Sequence, residues 1–440
     1  MTIKNKKVLV LGAGKSGLSA AKFLHARGAV VGIFDDKKNQ GIPEAIFTDN
    51  IDFENFDYCV ISPGVSINHP IAQKFTGRII SELALGFSAP HKKIVAITGT
   101  NGKTTVTNMI GEAMDKRGVV CGNVGVPVTS VTNQIAKKIA VAEVSSFMME
   151  VPDSDFKPDI GIILNISQDH LERHGTMQEY IRCKAKLTRA KKVIFNYDCL
   201  NCRILNDGRA FYYSTSTPVR GIYLDGKNVV LNIGKRPKVI FSLDEFCEDR
   251  PHQISNIIVV ILACKLLGVS RKRILMACMG GQEREHRIQT VGEVDNVVFV
   301  NDSKATNIAA SLAACGCYQG SINLLLGGVV KGQNFDELFA KIPKHVDHVF
   351  AFGEGADEII ASAEKFEFKR TTKYKTMKEA TVAAFKHGFG PRVVLLSPAC
   401  SSFDEFNGYA ERGKVFAEVV KGLANDKQSL TSPTKEVGNV

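Results

Sequence analysis

The chain has 440 residues, of which 44% are hydrophobic and 23% charged; that is enough apolar content for two or three domains with proper cores, and no extreme marks a disordered or collagenous protein. Lysine and arginine total 56 against 45 acids, a formal net charge of +11, which permits nucleic-acid binding but suits equally an enzyme that handles phosphates and carboxylates. No stretch approaches the roughly eighteen apolar residues of a membrane span, and the 11 cysteines follow no regular framework, so they read as mostly reduced core residues of a cytoplasmic protein.

The chain opens with MTIKNKKVLVLGAG, basic and then briefly apolar, which predicts a strand rather than a signal peptide. GAGKSG (12–17), the amphipathic helix LSAAKFLHARG and a second strand, VVGIFDD, follow. Gly12, Gly14 and Gly17 fill a dinucleotide fingerprint, and Asp35 comes near where an acid meets a ribose hydroxyl. The same fingerprint fits many βαβ units that bind no dinucleotide, and Lys15 and Ser16 in the loop suit a diphosphate of another kind equally well. DYCVISPGV and SELALGF complete a Rossmann-like unit over residues 1–91.

Over residues 92–284 the strands IVAIT, IAVAEV, DIGIILNIS and KKVIFN alternate with helical segments, which predicts a mostly parallel sheet. AITGTNGKTT (96–105) sits between the first of these strands and a helix with apolar Val106, Met109, Ile110, Ala113 and Met114. There the amides of Gly99, Thr100, Asn101, Gly102 and Lys103 can point at an anion, Lys103 can reach a terminal phosphate, and the Thr104 hydroxyl can face magnesium, with Thr105 completing the run. The spacing departs from the usual P-loop, since Ile97 stands where its first glycine would be. Glu143 ends the strand IAVAE, where a carboxylate beside such a loop can bind the nucleotide's metal. His170 arrives in QDHLERHG at the end of another strand. Lys184 in YIRCKAKL reads as a solvated helix lysine, and His252 and Asn256 before an apolar helix read as N-terminal caps.

The third segment, 285–425, alternates again through NVVFVND, INLLLGG, HVFAFG and RVVLLSP, and reads as a second Rossmann-like α/β domain. NDSKATN (301–307) packs an acid, hydroxyls, a lysine and amides after one strand. LSPACSSFDEF places Ser397, Ser401 and Ser402 after another, and GGVVKGQNF sets Lys331 after a third. Three polar loops on one sheet edge predict a cleft for an anionic co-substrate. Residues 426–440 are polar and read as a disordered tail.

With these runs in hand the chain resembles the Mur ligase family over nearly its whole length. The matching stretches are GAGKSGLSAAKFL, ISPGV with His69-Pro70, ITGTNGKTT, GNVGVP, EVSSFMME, HLERHGTMQEYIRCK, EHR, NDSKATN and LLSPACSSFDEF. The last two resemble most the members that add D-glutamate. The resemblance implies ATP-dependent ligation of D-glutamate to UDP-N-acetylmuramoyl-L-alanine through an acyl phosphate. By the same resemblance Thr104 and Glu143 hold one magnesium ion, and His170 with Lys184 a second, Lys184 being carbamylated and Lys186 its nearby alternative. Asn256, Arg287 and Asp302 match adenosine-side contacts. Lys304, Thr306, Lys331, Ser402, Phe403 and Tyr409 match the D-glutamate pocket, while Ser16, Asp35, Asp36, Ser62, Gly64 and Asn123 lie where the family grips the UDP-sugar. Gln253 and Val330 depart from the family pattern, which has asparagine and an acid there. The expected enzyme is a cytoplasmic monomer with small-molecule partners and no nucleic acid. An NAD-dependent oxidoreductase would use GAGKSG but leave ITGTNGKTT and NDSKATN without a role. An ATPase bound to nucleic acid would need basic runs with interleaved aromatics, which the chain does not have.

Overall fold

Apolar runs of four to eight residues, bounded by glycine and polar turns, become the strands of three sheets in the computed structural model. It describes residues 3–36, 46–47, 55–151, 156–205, 208, 210–246, 253–279, 285–390 and 392–431. The first sheet holds β1 (Lys7–Leu11), β2 (Val30–Phe34), β3 (Ile46–Phe47), β4 (Tyr58–Ile61) and β5 (Arg78–Ser81). Their order, β3-β2-β1-β4-β5, is parallel throughout. It reverses between β1 and β4, so the loop after β1 opens at a topological switch point.

The second sheet holds β6 (Lys93–Thr98), β7 (Gly118–Gly122), β8 (Ile139–Glu143), β9 (Ile160–Ile163), β10 (Lys192–Asn196), β11 (Phe211–Ser214), β12 (Gly221–Asp225), β13 (Asn228–Asn232) and β14 (Lys238–Ser242). The order is β14-β13-β12-β11-β10-β9-β6-β8-β7. Its central strands β6, β8 and β9 are buried on both faces: Val95, Ile97, Val141 and Ile162 face one apolar core with the helices Lys103–Met114 and Ile254–Leu266, while Ile94, Ala96, Ala140 and Ile163 face another. Burial on both faces is what a parallel sheet requires and why its strands read as unbroken apolar runs. The edge departs from the predicted parallel pattern, because β12, β13 and β14 pair antiparallel. The local signal was Asp225-Gly226 between two alternating runs; Asp225 pairs with Asn228 around the two-residue turn Gly226-Lys227, with Gly226 at φ 57.

The third sheet holds β15 (Gln289–Val294), β16 (Val297–Asn301), β17 (Ile322–Gly327), β18 (Val346–Phe352), β19 (Thr371–Tyr374) and β20 (Arg392–Ala399), in the order β15-β16-β20-β17-β18-β19. β15 is an antiparallel edge strand that the sequence reading lacked. It joins β16 through Asp295 and Asn296, both at positive φ (51 and 60), a two-residue turn without the glycine that usually announces one. The final helix, Tyr409–Thr431, runs past the expected start of a disordered tail at 426; the rest of that tail, 432–440, lies outside the described residues.

The chain forms two compact units, Met1–Ser167 with Arg173–Gly280, and Gln168–Glu172 with Gly281–Val440. Within the first, Glu82 at the start of the helix Glu82–Phe87 accepts hydrogen bonds from Thr129 N (2.8 Å) and Oγ1 (2.7 Å), and Thr129 lies 2.7 Å from Ser19 of the first helix. The first two sheets are thereby tied through one buried carboxylate.

Candidate functional site

The glycine-rich loop after β1 is held by its own side chains. A Cβ on Gly17 would lie 1.8 Å from the Gly12 carbonyl, so only glycine lets helix and strand approach this closely. Asp35 accepts from the Ala13 amide at 2.6 Å, and the buried Ser62 hydroxyl donates to Gly12 O at 3.0 Å. Asp35, read from sequence as a ribose partner, is thus also a brace of the loop. Asp36 faces His69 at 3.3 Å, and His69 caps the helix Pro70–Lys74 by accepting from Ile71 N.

The loop after β6 is clamped from three directions. Gly102, at φ 83, is the N-cap of Lys103–Met114, and a Cβ there would meet the Asn256 side-chain oxygen at 2.7 Å. Asn256 therefore packs against the loop instead of capping its own helix, whose N-cap is Gln253; His252 lies outside the described residues. From the end of β9, Asn165 accepts from Thr100 N (2.9 Å) and Asn101 N (2.8 Å), and Ser167 N donates to Thr100 Oγ1 at 3.0 Å. Tyr180 places its hydroxyl 3.0 Å from Thr100 Oγ1. Lys103 donates to the carbonyls of Gly99 (2.8 Å) and Thr100 (2.9 Å), folded over its own loop. Thr104 follows it on the half-buried first turn, and Thr105 is buried.

The solvated reading of Lys184 is overturned. The helix Met177–Ala185, capped by Thr176, turns Lys184 inward, where it is 1% exposed, lies over the Tyr180 ring and donates to Gly99 O at 2.9 Å. Two ammonium groups thus converge on one carbonyl of the glycine-rich loop. Lys186, two residues on, points elsewhere: it donates to the carbonyls of Met149 (2.5 Å) and Val151 (2.6 Å).

Register in the second sheet sets Glu143 beside Ile97, two residues before the loop begins. The carboxylate is 2% exposed; Oε1 accepts from Asn123 at 2.7 Å, and Oε2 is buried with no hydrogen-bond partner among the described residues. Asn123 and Glu143, assigned from sequence to different ligands, are one hydrogen-bonded pair. Such an orphaned carboxylate oxygen at a strand end beside a phosphate-type loop fits a hard divalent cation. Sequence reasoning missed Arg173, which pairs bidentately with Glu150 (2.7 Å at both oxygens), lies over Phe147 and donates to the Val65 carbonyl at 2.8 Å and toward Gly64 O at 3.5 Å.

His170 belongs to the second unit with its segment Gln168–Glu172. It sits at φ 55, 3.3 Å from Glu172 Oε1 and 3.6 Å from Asp169 Oδ2, while Gln168 donates to Gly332 O at 2.9 Å.

In the third sheet the three polar loops do share an edge, since they follow the consecutive neighbours β16, β20 and β17. Much of NDSKATN proves to be scaffold. Asn301 is buried and donates to Gly413 O, Ser303 donates to Tyr409 O at 2.8 Å, and Asn307 caps the helix Ile308–Cys315. Asp302 is buried, accepts from Ser397 Oγ at 2.8 Å and Ile288 N at 3.3 Å, and burial raises its carboxyl to about 7. Lys304 stays partly open with its ammonium 3.5 Å from the centre of the Tyr409 ring. Thr306, Arg287 and Lys331 are partly exposed, Ser402 is buried, and Phe403 is 69% exposed. The group that binds these loops together is Arg412, fully buried, which donates to Ser303 Oγ and O and to the carbonyls of Cys400, Ser401 and Gly327. It lies in the quoted LSPACSSFDEFNGYAERG run, but nothing in that run distinguishes it from a surface arginine.

Three family models match the chain: Mur ligase MurD-like, N-terminal domain, over residues 6–81; Mur ligase middle domain over 97–224; and Mur ligase, glutamate ligase domain, over 286–400. The chain is 33% identical to a UDP-N-acetylmuramoylalanine–D-glutamate ligase of Caldicellulosiruptor bescii, the match covering 96% of this chain and 99% of that one. It is 34% identical to the protein of the same name from Clostridioides difficile, over 96% and 100%. Among solved structures, a pseudomurein peptide ligase type C from Methanothermus fervidus aligns with TM-score 0.61 at 16% identity, over 95% of this chain and 100% of that one. UDP-N-acetylmuramate-alanine ligase from Thermotoga maritima aligns with TM-score 0.58 at 17% identity, over 95% and 99%. At such identities these two show the fold.

Proposed function

The chain belongs to the Mur ligase family, and from that premise we infer that it is an ATP-dependent ligase that joins D-glutamate to UDP-N-acetylmuramoyl-L-alanine in peptidoglycan precursor synthesis. The observation that carries the chemistry is the convergence of Lys103 and Lys184 on the Gly99 carbonyl, in a sheet where Glu143, paired in register with Ile97, keeps a buried oxygen with no hydrogen-bond partner among the described residues. A loop of that kind suits the phosphates of ATP, and fixed cations are what let two anions meet in line. The alanyl carboxylate attacks the γ-phosphorus, and ADP leaves from an acyl phosphate. The amine of D-glutamate then attacks the acyl carbon, inorganic phosphate departs, and loss of the amine proton completes the amide.

In this reading Lys103 exchanges its loop carbonyls for phosphate oxygens. Gly99 to Thr105 cradle the triphosphate, with Asn256, Arg287 and Asp302 on the adenosine side. Thr104 and Glu143 hold one magnesium ion and His170 with Lys184 a second; magnesium there supplies charge compensation for the transferred phosphoryl group. A lysine shielded from water against an aromatic ring is a candidate for carbamylation, in which carbon dioxide adds to the neutral amine and a proton leaves, turning a cation into a carboxylate-like ligand. Ser16, Asp35, Asp36, Ser62, Gly64 and Asn123 serve the UDP-sugar, and Lys304, Thr306, Lys331, Ser402, Phe403 and Tyr409 serve D-glutamate. The working domains are 1–91, 92–284 and 285–425, in a monomeric, cytoplasmic enzyme.

ADP release by purified protein tests this. Release that requires both UDP-N-acetylmuramoyl-L-alanine and D-glutamate is expected. Release with L-glutamate and a folate instead, or release without either substrate, would overturn the assignment.

A further inference from the structure

Cys199 and Cys202 form a Cys-x-x-Cys pair that a search for a regular cysteine framework passes over. Cys199 caps the short helix Leu200–Arg203, and Cys202 N donates to Cys199 O at 3.0 Å, which brings the two side chains onto one helical turn. The Cys199 sulfur accepts from the Ile166 amide at 3.5 Å and its thiol donates to the Ile166 carbonyl at 3.9 Å, to which Asn201 also donates at 2.9 Å. Ile166 is the middle of the segment that clamps the glycine-rich loop. On one side Asn165 holds Thr100 N and Asn101 N, and on the other Ser167 N binds Thr100 Oγ1. One residue therefore separates a thiol pair from the bonds that shape residues 99–101.

The two thiols differ in environment. Cys199 is partly exposed, whereas Cys202 is fully buried. Each acts on the other: Cys202, with the backbone amides around Cys199, lowers the Cys199 thiol despite partial burial, while Cys202 is itself pushed up by Cys199 and by burial. The buried thiols of Cys59, Cys121, Cys278, Cys315 and Cys400 are instead pushed up to about 12 by burial. A partly exposed thiol backed by a second, buried thiol on the same helical turn is the arrangement of an attacking and a resolving cysteine.

We propose that Cys199 and Cys202 are a reversible oxidation site, closed to a disulfide by peroxide, and that closure weakens the hold of the neighbouring loop on its nucleotide. The Cys199 thiolate attacks one peroxide oxygen, the O–O bond breaks, and hydroxide leaves and takes up the proton Cys199 has lost. The resulting sulfenic acid is attacked by the Cys202 sulfur; the S–O bond breaks, and the departing oxygen carries away the Cys202 proton as a second water. Two thiols are oxidised and one peroxide is reduced to two waters. Once bonded to Cys202, the Cys199 sulfur has no proton to donate to the Ile166 carbonyl and is a poorer acceptor for the Ile166 amide, so the clamp loses support at its centre. This consequence rests on the reading of residues 99–105 as the ATP loop.

The test treats the reduced full chain with hydrogen peroxide, alkylates the free thiols and maps the tryptic peptide 193–203, which carries both cysteines. Loss of two hydrogens and of both alkylation sites, reversed by dithiothreitol, is expected. A fluorescent ATP analogue should bind about fivefold more weakly or worse to the oxidised chain, the lower end of ordinary coupling between sites. Cys199→Ser should bind it equally with and without peroxide; if that variant does not fold, reversal by dithiothreitol in the wild-type chain makes the same comparison. A peptide that stays doubly alkylated, or a disulfide that leaves nucleotide affinity unchanged, would overturn the proposal. A disulfide that forms in a chain whose reduced state binds no ATP analogue would instead uphold the oxidation site and sink the loop reading.

Discussion

The Lys184 ammonium, 1% exposed, meets the Gly99 carbonyl at 2.9 Å, although 85 residues of chain separate them. A helix lysine ends on the glycine-rich loop, beside the Lys103 ammonium on the same oxygen.

Lys184→Ala should lower turnover by about a hundredfold or more, since a metal at a developing charge contributes several kcal/mol. If the lysine acts as a carbamate, formate or acetate should restore part of the rate by filling the vacated position, and chloride at equal ionic strength should not. Near-normal turnover by the variant would refute the metal role.

Lys186→Met gives the contrast. Its ammonium satisfies the carbonyls of Met149 and Val151, so its loss should cost about 1–3 kcal/mol of stability in urea denaturation while leaving the rate of the folded enzyme within a few-fold of wild type.

Lys103→Ala should lower turnover by about two orders of magnitude or more with the fold intact, because on the proposed reading the residue supplies charge to the phosphates in exchange for the loop carbonyls of Gly99 and Thr100 that it meets here. Circular dichroism should match wild type; a rate within a few-fold of wild type would exclude the phosphate role.

Lys304→Ala and Lys331→Ala, assayed separately, should raise KM for D-glutamate far more than KM for UDP-N-acetylmuramoyl-L-alanine. Each lysine follows a different strand on one sheet edge, and each is expected to face a carboxylate of the amino acid. Equal effects on both substrates would place the pocket elsewhere.

Asp302 should make the second unit's stability fall with rising pH. Burial raises its folded value to about 7 from an ordinary 3.8. Between the two, the folded chain keeps a proton that the unfolded chain has released, so stability from this group is full below the lower value and declines until the upper one is passed. Asp302→Asn keeps an acceptor for Ser397 and cannot ionise. Its stability advantage over wild type should therefore grow by on the order of 4 kcal/mol between acid and mildly alkaline pH, read from urea midpoints. A pH-independent difference would contradict the buried-acid account.

How far the sequence was legible follows from how local each signal is. Alternation of apolar strands with amphipathic helices placed every strand of β16, β17, β18 and β20, and the glycines with Lys103 located the phosphate-type loop, because strand, turn and helix N-terminus are contiguous in the chain. The β15 hairpin was lost where the turn, Asp295-Asn296, has no glycine, and the β12–β13 hairpin was missed although Asp225-Gly226 announced it. NDSKATN announced a polar edge but not that Asn301, Ser303 and Asn307 spend their polarity inside the scaffold.

By itself the sequence determined the α/β class, the glycine-rich loops and the resemblance to an amide-forming family, all of which rest on short-range patterns of residue type. Tertiary structure alone decided which polar groups meet: Lys184 on Gly99, Asn123 on Glu143, Arg412 on three loops and Cys199 on Ile166. Those pairings follow from strand order, because the neighbours β10-β9-β6-β8-β7 in the second sheet and β16-β20-β17 in the third bring segments far apart in the chain to one sheet edge. There burial leaves a lysine, a carboxylate or a thiol only the partners that the neighbouring strands supply, and no periodicity along the chain records which strand is the neighbour.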